Sequence, residues 1–174
     1  ETEGTYALPE AQVDRFMLKV LIGYPSPTEE FVIVERMTGA LQSVQKILTI
    51  EQLLDLQKKA DKVYVDPALM EYAVRMVTAT RSPKEVGLPE LERYIMFGAS
   101  PRASINLILT GRALAFVRGR NYALPQDVLD MALDVMRHRI VLTYEALSDN
   151  VTGDDILNRI LDRIPIPVVP LHEH

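Results

Sequence analysis

From residue 27 onward, apolar positions recur at three- and four-residue spacings, the period of helices with one face turned inward. Thr28-Glu29-Glu30 opens a helix in which Phe31, Val34 and Met37 share a face. Thr49, with Gln52 three positions on, reads as a capping box ahead of a stripe of Leu53, Leu54, Leu56 and Ala60. Asp66-Pro67 sets an N-cap before a proline at the first helical position, and Leu69, Tyr72, Ala73, Met76 and Val77 line the helix behind it. Ser100-Pro101 repeats that signal before a long helix to about Arg118. Pro125 opens another, packed through Val128, Leu129, Ala132, Leu133 and Met136. A last helix runs from about Asp154 to Arg163 and gives way to the extended Ile164-Pro165-Ile166-Pro167. Residues 81–90 read as a loop, and short strands are expected at Lys62–Val65, Tyr94–Phe97 and Arg139–Leu142.

The first 26 residues follow a different pattern. A short helix is expected from Pro9 to Arg15, then the nearly continuous apolar run Phe16–Ile22, stopped by Gly23-Tyr24-Pro25-Ser26-Pro27. Such a run suits a strand buried on both faces of a parallel sheet, yet the chain offers it no partner strands. The rest of that sheet is therefore expected upstream of Glu1. The expected fold is mainly α: a helical bundle over 27–169, preceded in 1–26 by a short helix and one strand of an α/β core, with 170–174 as a tail.

Composition narrows the classes. A chain of 174 residues, 48% apolar, can bury one sizeable core. The net charge of −5 argues against a dedicated nucleic-acid binder, because phosphate affinity comes from clustered Lys and Arg. With no cysteine, disulfides and thiolate metal sites are excluded, which fits a reducing compartment. No apolar run approaches the roughly 20 residues that span a bilayer, and the N-terminus lacks the basic and apolar regions of a signal peptide. The chain reads as cytoplasmic, with no membrane partner.

Two arginines stand where chemistry is plausible. Arg15 ends a short helix at the expected sheet edge, and a guanidinium is always charged and forks bidentately onto phosphate oxygens. The competing reading pairs it with Asp14, Glu10 or another local carboxylate. Arg102 falls in the first turn of the Ser100-capped helix, where free amides and the helix dipole already favour an anion. It is misplaced there unless it helps to hold one. From 101 to 126 the chain has Arg102, Arg112, Arg118 and Arg120 and no acidic residue, so a solvated basic face is the competing reading. A helix-turn-helix on DNA is a further alternative, disfavoured by a six-residue connector and a strongly apolar second helix. No Gly precedes Lys-Ser or Lys-Thr, and no apolar run ends in Asp-Glu, so neither a Walker A loop nor a Walker B strand is present. His138 lies between two arginines without a ligand partner, and His172 and His174 lie in the tail. No metal site and no complete active site are expected in this chain.

Four segments together resemble one family. Gly4-Thr5-Tyr6-Ala7-Leu8-Pro9-Glu10-Ala11-Gln12-Val13-Asp14-Arg15-Phe16 is similar to the segment after the sensor-1 strand of MoxR-type AAA+ ATPases. Tyr24-Pro25-Ser26-Pro27-Thr28-Glu29-Glu30 resembles their junction between core and lid, Gly98-Ala99-Ser100-Pro101-Arg102-Ala103 their sensor-2 motif, and Ile164-Pro165-Ile166-Pro167 their lid ending. The resemblance implies that Arg15 is an arginine finger acting on ATP in the adjacent subunit. It implies that Arg102, presented by Ser100 and Pro101, contacts the γ-phosphate of ATP in its own subunit. It also implies ATP and Mg2+ as cofactors, ring oligomers (usually hexamers), and chaperone-like remodelling or cofactor insertion in client proteins, often with a von Willebrand A-domain partner. The Walker and sensor-1 residues would lie before Glu1, and this chain alone is expected to be inactive, with no nucleotide held tightly.

Overall fold

The computed structural model describes residues 8–40 and 43–168. Helix α1 (Glu10–Val13) is followed by an irregular stretch, then α2 (Pro27–Thr38), α3 (Ile50–Ala60) and α4 (Pro67–Arg81). Two 3₁₀ turns, Pro83–Val86 and Pro89–Tyr94, lead into strand β1 (Ile95–Phe97) and the 17-residue α5 (Pro101–Val117). The chain closes with α6 (Pro125–Asp130), α7 (Ala132–Met136), β2 (Val141–Leu142), α8 (Tyr144–Ser148) and α9 (Gly153–Leu161).

The caps hold where they were expected. Thr49 and Gln52 form a reciprocal box at α3, the amide of Gln52 donating to Thr49 Oγ1 and that of Thr49 to Gln52 Oε1. Asp66 accepts from the Ala68 amide at 2.8 Å, and Ser100 from the Arg102 amide at 3.2 Å, each ahead of a proline that lacks the orphan N–H. Helix α2 starts a residue earlier than Thr28, because Ser26 and Glu29 make the box there.

The buried apolar residues run from Val63 to Ile164. Leu69, Tyr72, Ala73, Met76 and Val77 of α4 meet Leu107 and Ala115 of α5, Val128 of α6, Val135 and Met136 of α7, and Ile156, Leu157 and Ile160 of α9. Gly111 lets α5 and α6 approach closely, since a Cβ there would stand 3.0 Å from Val128 Cγ2. Strands β1 and β2 pair antiparallel, as two of the three expected strands do, while Lys62–Val65 contributes only the isolated bridge Tyr64–Tyr122. The single helix expected behind Pro125 divides at Met131, at φ −92° and ψ −6°. The loop expected at 81–90 is largely 3₁₀, and α8 was not anticipated.

The strand partners expected for Phe16–Ile22 lie outside this chain; among the described residues the run forms no strand, and Phe16, Val20, Leu21 and Ile22 are exposed. A strand is defined by its ladder, and no described segment pairs with this one. Instead the run lies extended against the bundle, with the Lys19 amide donating to the Asp134 carbonyl at 2.8 Å and Arg137 Nη1 to the Lys19 carbonyl at 2.9 Å. The face of α2 formed by Phe31, Val34 and Met37 is likewise exposed. No helix among the described residues is long and apolar enough to cross a membrane. His172, His174 and the 170–174 tail lie outside the described residues, as do Gly4 to Ala7 of the first motif.

Candidate functional site

The start of α5 is fixed from below by a corner that admits no side chain. A Cβ on Gly98 would fall 2.5 Å from the Thr80 carbonyl oxygen and 2.7 Å from Arg81 Cγ. The buried Thr80 hydroxyl accepts from the Ala99 amide at 2.9 Å and donates to the Val77 carbonyl at 2.7 Å. Residues 98–100 are thereby seated on the end of α4. Gly98→Ala is expected to destabilise the chain by about 1–3 kcal/mol, because the obstacle is backbone rather than a flexible side chain. A thermal melt indistinguishable from the parent would show that the corner yields.

Above this corner, Ser100, Arg102, Asp14 and Arg139 converge. Ser100 Oγ accepts from the Arg102 amide and donates to Asp14 Oδ1 at 2.8 Å. Arg102 Nη1 donates to Asp14 Oδ2 at 2.9 Å. Arg139, its side chain 0% exposed, donates through Nε to Asp14 Oδ1 at 3.1 Å. The anion at the α5 N-terminus is thus a carboxylate brought from 86 residues away in sequence. Burial pushes the Asp14 carboxyl upward, but the Arg102 and Ser100 hydrogen bonds and the charges of Arg139 and Arg102 outweigh it and hold the group below the usual carboxylate range.

Arg139 also clamps the backbone that carries Arg15. Its Nη2 donates to the carbonyls of Asp14, at 3.0 Å, and Phe16, and its Nη1 to those of Met17, at 3.3 Å, and Val135. His138 adds a bond from Nε2 to the Phe16 carbonyl at 3.0 Å. That carbonyl needs a donor, so Nε2 carries the proton; burial, the largest influence, lowers the imidazole pKa and keeps the ring neutral near pH 7. The turn at 14–17 is therefore held by two side chains, Arg139 and His138. Arg15 itself is exposed and makes no ion pair among the described residues, since the neighbouring Asp14 is engaged elsewhere. Its expected local partners do not hold it.

The other arginines of the acid-free stretch are neutralised within the bundle. Arg112 reaches Asp61 at 2.9 Å, while Arg118 and Arg120 converge on the fully buried Asp127 at 2.8 and 2.6 Å. They do not form a free basic face for DNA. Sequence reasoning missed Asp14 and Arg139 as members of the site. Local spacing offers Asp14 only as a partner for Arg15, and nothing local marks Arg139 as its counter-charge.

Residues 90–160 match the family described as the AAA lid domain. Chaperone MoxR1 of Mycobacterium tuberculosis is 47% identical over 169 residues, which cover 97% of this chain and 45% of that protein. Protein MoxR of Paracoccus denitrificans is 30% identical over 181 residues, covering 96% and 53% respectively. The crystal structure of a candidate ATPase from Cytophaga hutchinsonii superposes with a TM-score of 0.92 at 39% identity, over 97% of this chain and 52% of that one. The chain spans about half the length of the relatives it matches. A helical lid bundle and a likeness that runs almost from end to end place this chain in the MoxR family of AAA+ ATPases.

Proposed function

We propose that this chain supplies two of the phosphate-reading arginines of a MoxR-type AAA+ ATPase ring, Arg102 in its own subunit and Arg15 towards the adjacent one. The ring uses ATP hydrolysis for chaperone-like remodelling of client proteins, or for cofactor insertion into them, with a von Willebrand A-domain protein as partner, in the cytoplasm. Residues 1–26 belong with the nucleotide-binding core, and 27–169 form the lid. The observation that carries the reading is the contrast at one turn: the backbone of 14–17 is clamped by Arg139 and His138, while the Arg15 side chain stands exposed and unpaired among the described residues. A positioned but unspent guanidinium is what a charge-neutralising contact across a subunit boundary requires.

The residues present fit ATP and Mg2+ only in part. Arg102 at the α5 N-terminus and Arg15 supply positive charge for phosphate oxygens, whereas the loop that cradles the phosphates and the carboxylates that hold Mg2+ would come from the core. Bound there, Mg2+ would neutralise charge on the transferring phosphoryl group. Arg102 contributes by adding a contact that exists only while a terminal phosphate is present, which ties lid position to nucleotide state.

Arg102→Ala in the full-length ATPase is expected to weaken ATP binding or slow turnover by about tenfold or more, the scale of one lost charge-assisted hydrogen bond in a water-poor site. Equilibrium nucleotide binding and steady-state hydrolysis read the two effects separately. Parental values for both would remove Arg102 from the nucleotide site.

A further inference from the structure

Arg102 and Arg139 place two guanidinium charges on the single carboxylate of Asp14. The two are unequal. Arg139 is wholly buried and spends its N–H groups on Asp14 and four backbone carbonyls. Arg102 is 55% exposed, and among the described residues its guanidinium makes one bond, from Nη1 to Asp14. One partner is fixed and the other is exchangeable, and the cluster keeps an uncompensated positive charge at a helix N-terminus that already favours anions. Asp14 also precedes Arg15 in the chain, and its carbonyl is one of those that Arg139 clamps.

We propose that Asp14 is a positioning residue whose carboxylate occupies Arg102 until a polyphosphate claims it, so that one side chain joins the phosphate-reading arginine to the Arg15 turn. Capture of Arg102 by an anion leaves Asp14 to Ser100 and Arg139 alone, and the pull on the α1 end of the turn changes with it. No bond is made or broken beyond this exchange of hydrogen-bonded partners. The device gives an unoccupied Arg102 an internal anion and reports its release to the residue directed at the neighbouring subunit. It rests on the reading of Arg102 as a phosphate contact.

The test uses the 174-residue chain and inorganic tripolyphosphate, followed by NMR at the Arg102 side chain and the Arg15 amide. In the parent, tripolyphosphate should shift both signals with the same midpoint. In Asp14→Asn, the Arg102 midpoint should fall about fivefold, the scale of removing one solvent-screened competing contact, and the Arg15 amide should no longer follow. Because Asp14→Asn strands the buried Arg139 charge, the double variant Asp14→Asn/Arg139→Met repeats the affinity measurement with both members neutral. Equal midpoints in parent and variants, absence of binding in all of them, or a parent Arg15 amide that ignores the titration would each overturn the proposal. A purely structural Asp14 predicts equal midpoints. Failure of the ATPase reading is distinguishable: Arg102→Ala would then leave turnover intact in the full-length protein whatever the tripolyphosphate titration shows.

Discussion

Arg15→Ala in the assembled ATPase is expected to cut ATP turnover by about 10³- to 10⁵-fold while leaving ATP binding close to the parental level. Phosphoryl transfer needs little covalent assistance and much charge neutralisation. On the proposed role of Arg15, a guanidinium reaching ATP in the next subunit would act mainly on the transition state. The Arg15 side chain has no described local partner to replace it, and its turn is held by backbone contacts that the substitution leaves in place. The loss should accordingly appear in kcat rather than in folding. Arg15→Lys keeps the charge but not the planar fork, and should recover only a small part of the rate. Steady-state hydrolysis beside equilibrium binding of ATP makes the measurement, and a variant that binds and hydrolyses as the parent does would mean that the finger lies elsewhere.

Asp127→Ala should cost the bundle about 3 kcal/mol and lower Tm by about 6–12 °C. Asp127 is fully buried at the start of α6, where its Oδ2 accepts from the Leu124 amide at 2.8 Å. Arg120 grips it with both terminal nitrogens, at 2.7 and 2.6 Å, and Arg118 adds a bond at 2.8 Å. Removing it strands Arg120, only 21% exposed, while Arg118 at 41% can turn to solvent, which places the cost towards the lower end for a broken buried pair. Burial alone would raise the Asp127 carboxyl, but the Arg120 bond, the Leu124 amide and the Arg118 bond hold it below the usual carboxylate range. A depressed folded pKa stabilises above the unfolded value, near 4, and that contribution is lost as pH falls through the folded one. Asp14 acts in the same direction. Tm should therefore drop below about pH 4, and Asp127→Asn should flatten that acid limb. An acid limb unchanged in Asp127→Asn would show that other carboxylates set it.

Much of the helical architecture is local chemistry. Thr49 with Gln52, Asp66-Pro67 and Ser100-Pro101 each satisfy orphan amides within three residues, so composition alone marks where α3, α4 and α5 begin. The apolar period of α4 likewise fixes which face is buried. Arg102 could be singled out because it looks misplaced without an anion, and Arg15 because it ends a short helix at an expected sheet edge. The rest needed the fold. Phe16–Ile22 has the composition of a buried strand, but a strand exists only through partners, and among the described residues this run has none and meets Asp134 and Arg137 through Lys19. Whether Arg102, Arg112, Arg118 and Arg120 form a basic face depends on carboxylates outside the 101–126 stretch, the distant Asp14 and Asp61 and the nearby Asp127. The site itself rests on Asp14 meeting Ser100 and Arg139 across 86 and 125 residues. Local sequence set the caps and faces because their partners are a turn away. Only the tertiary structure decided which charges neutralise which, because burial and distance, not sequence spacing, set the strength of an ion pair.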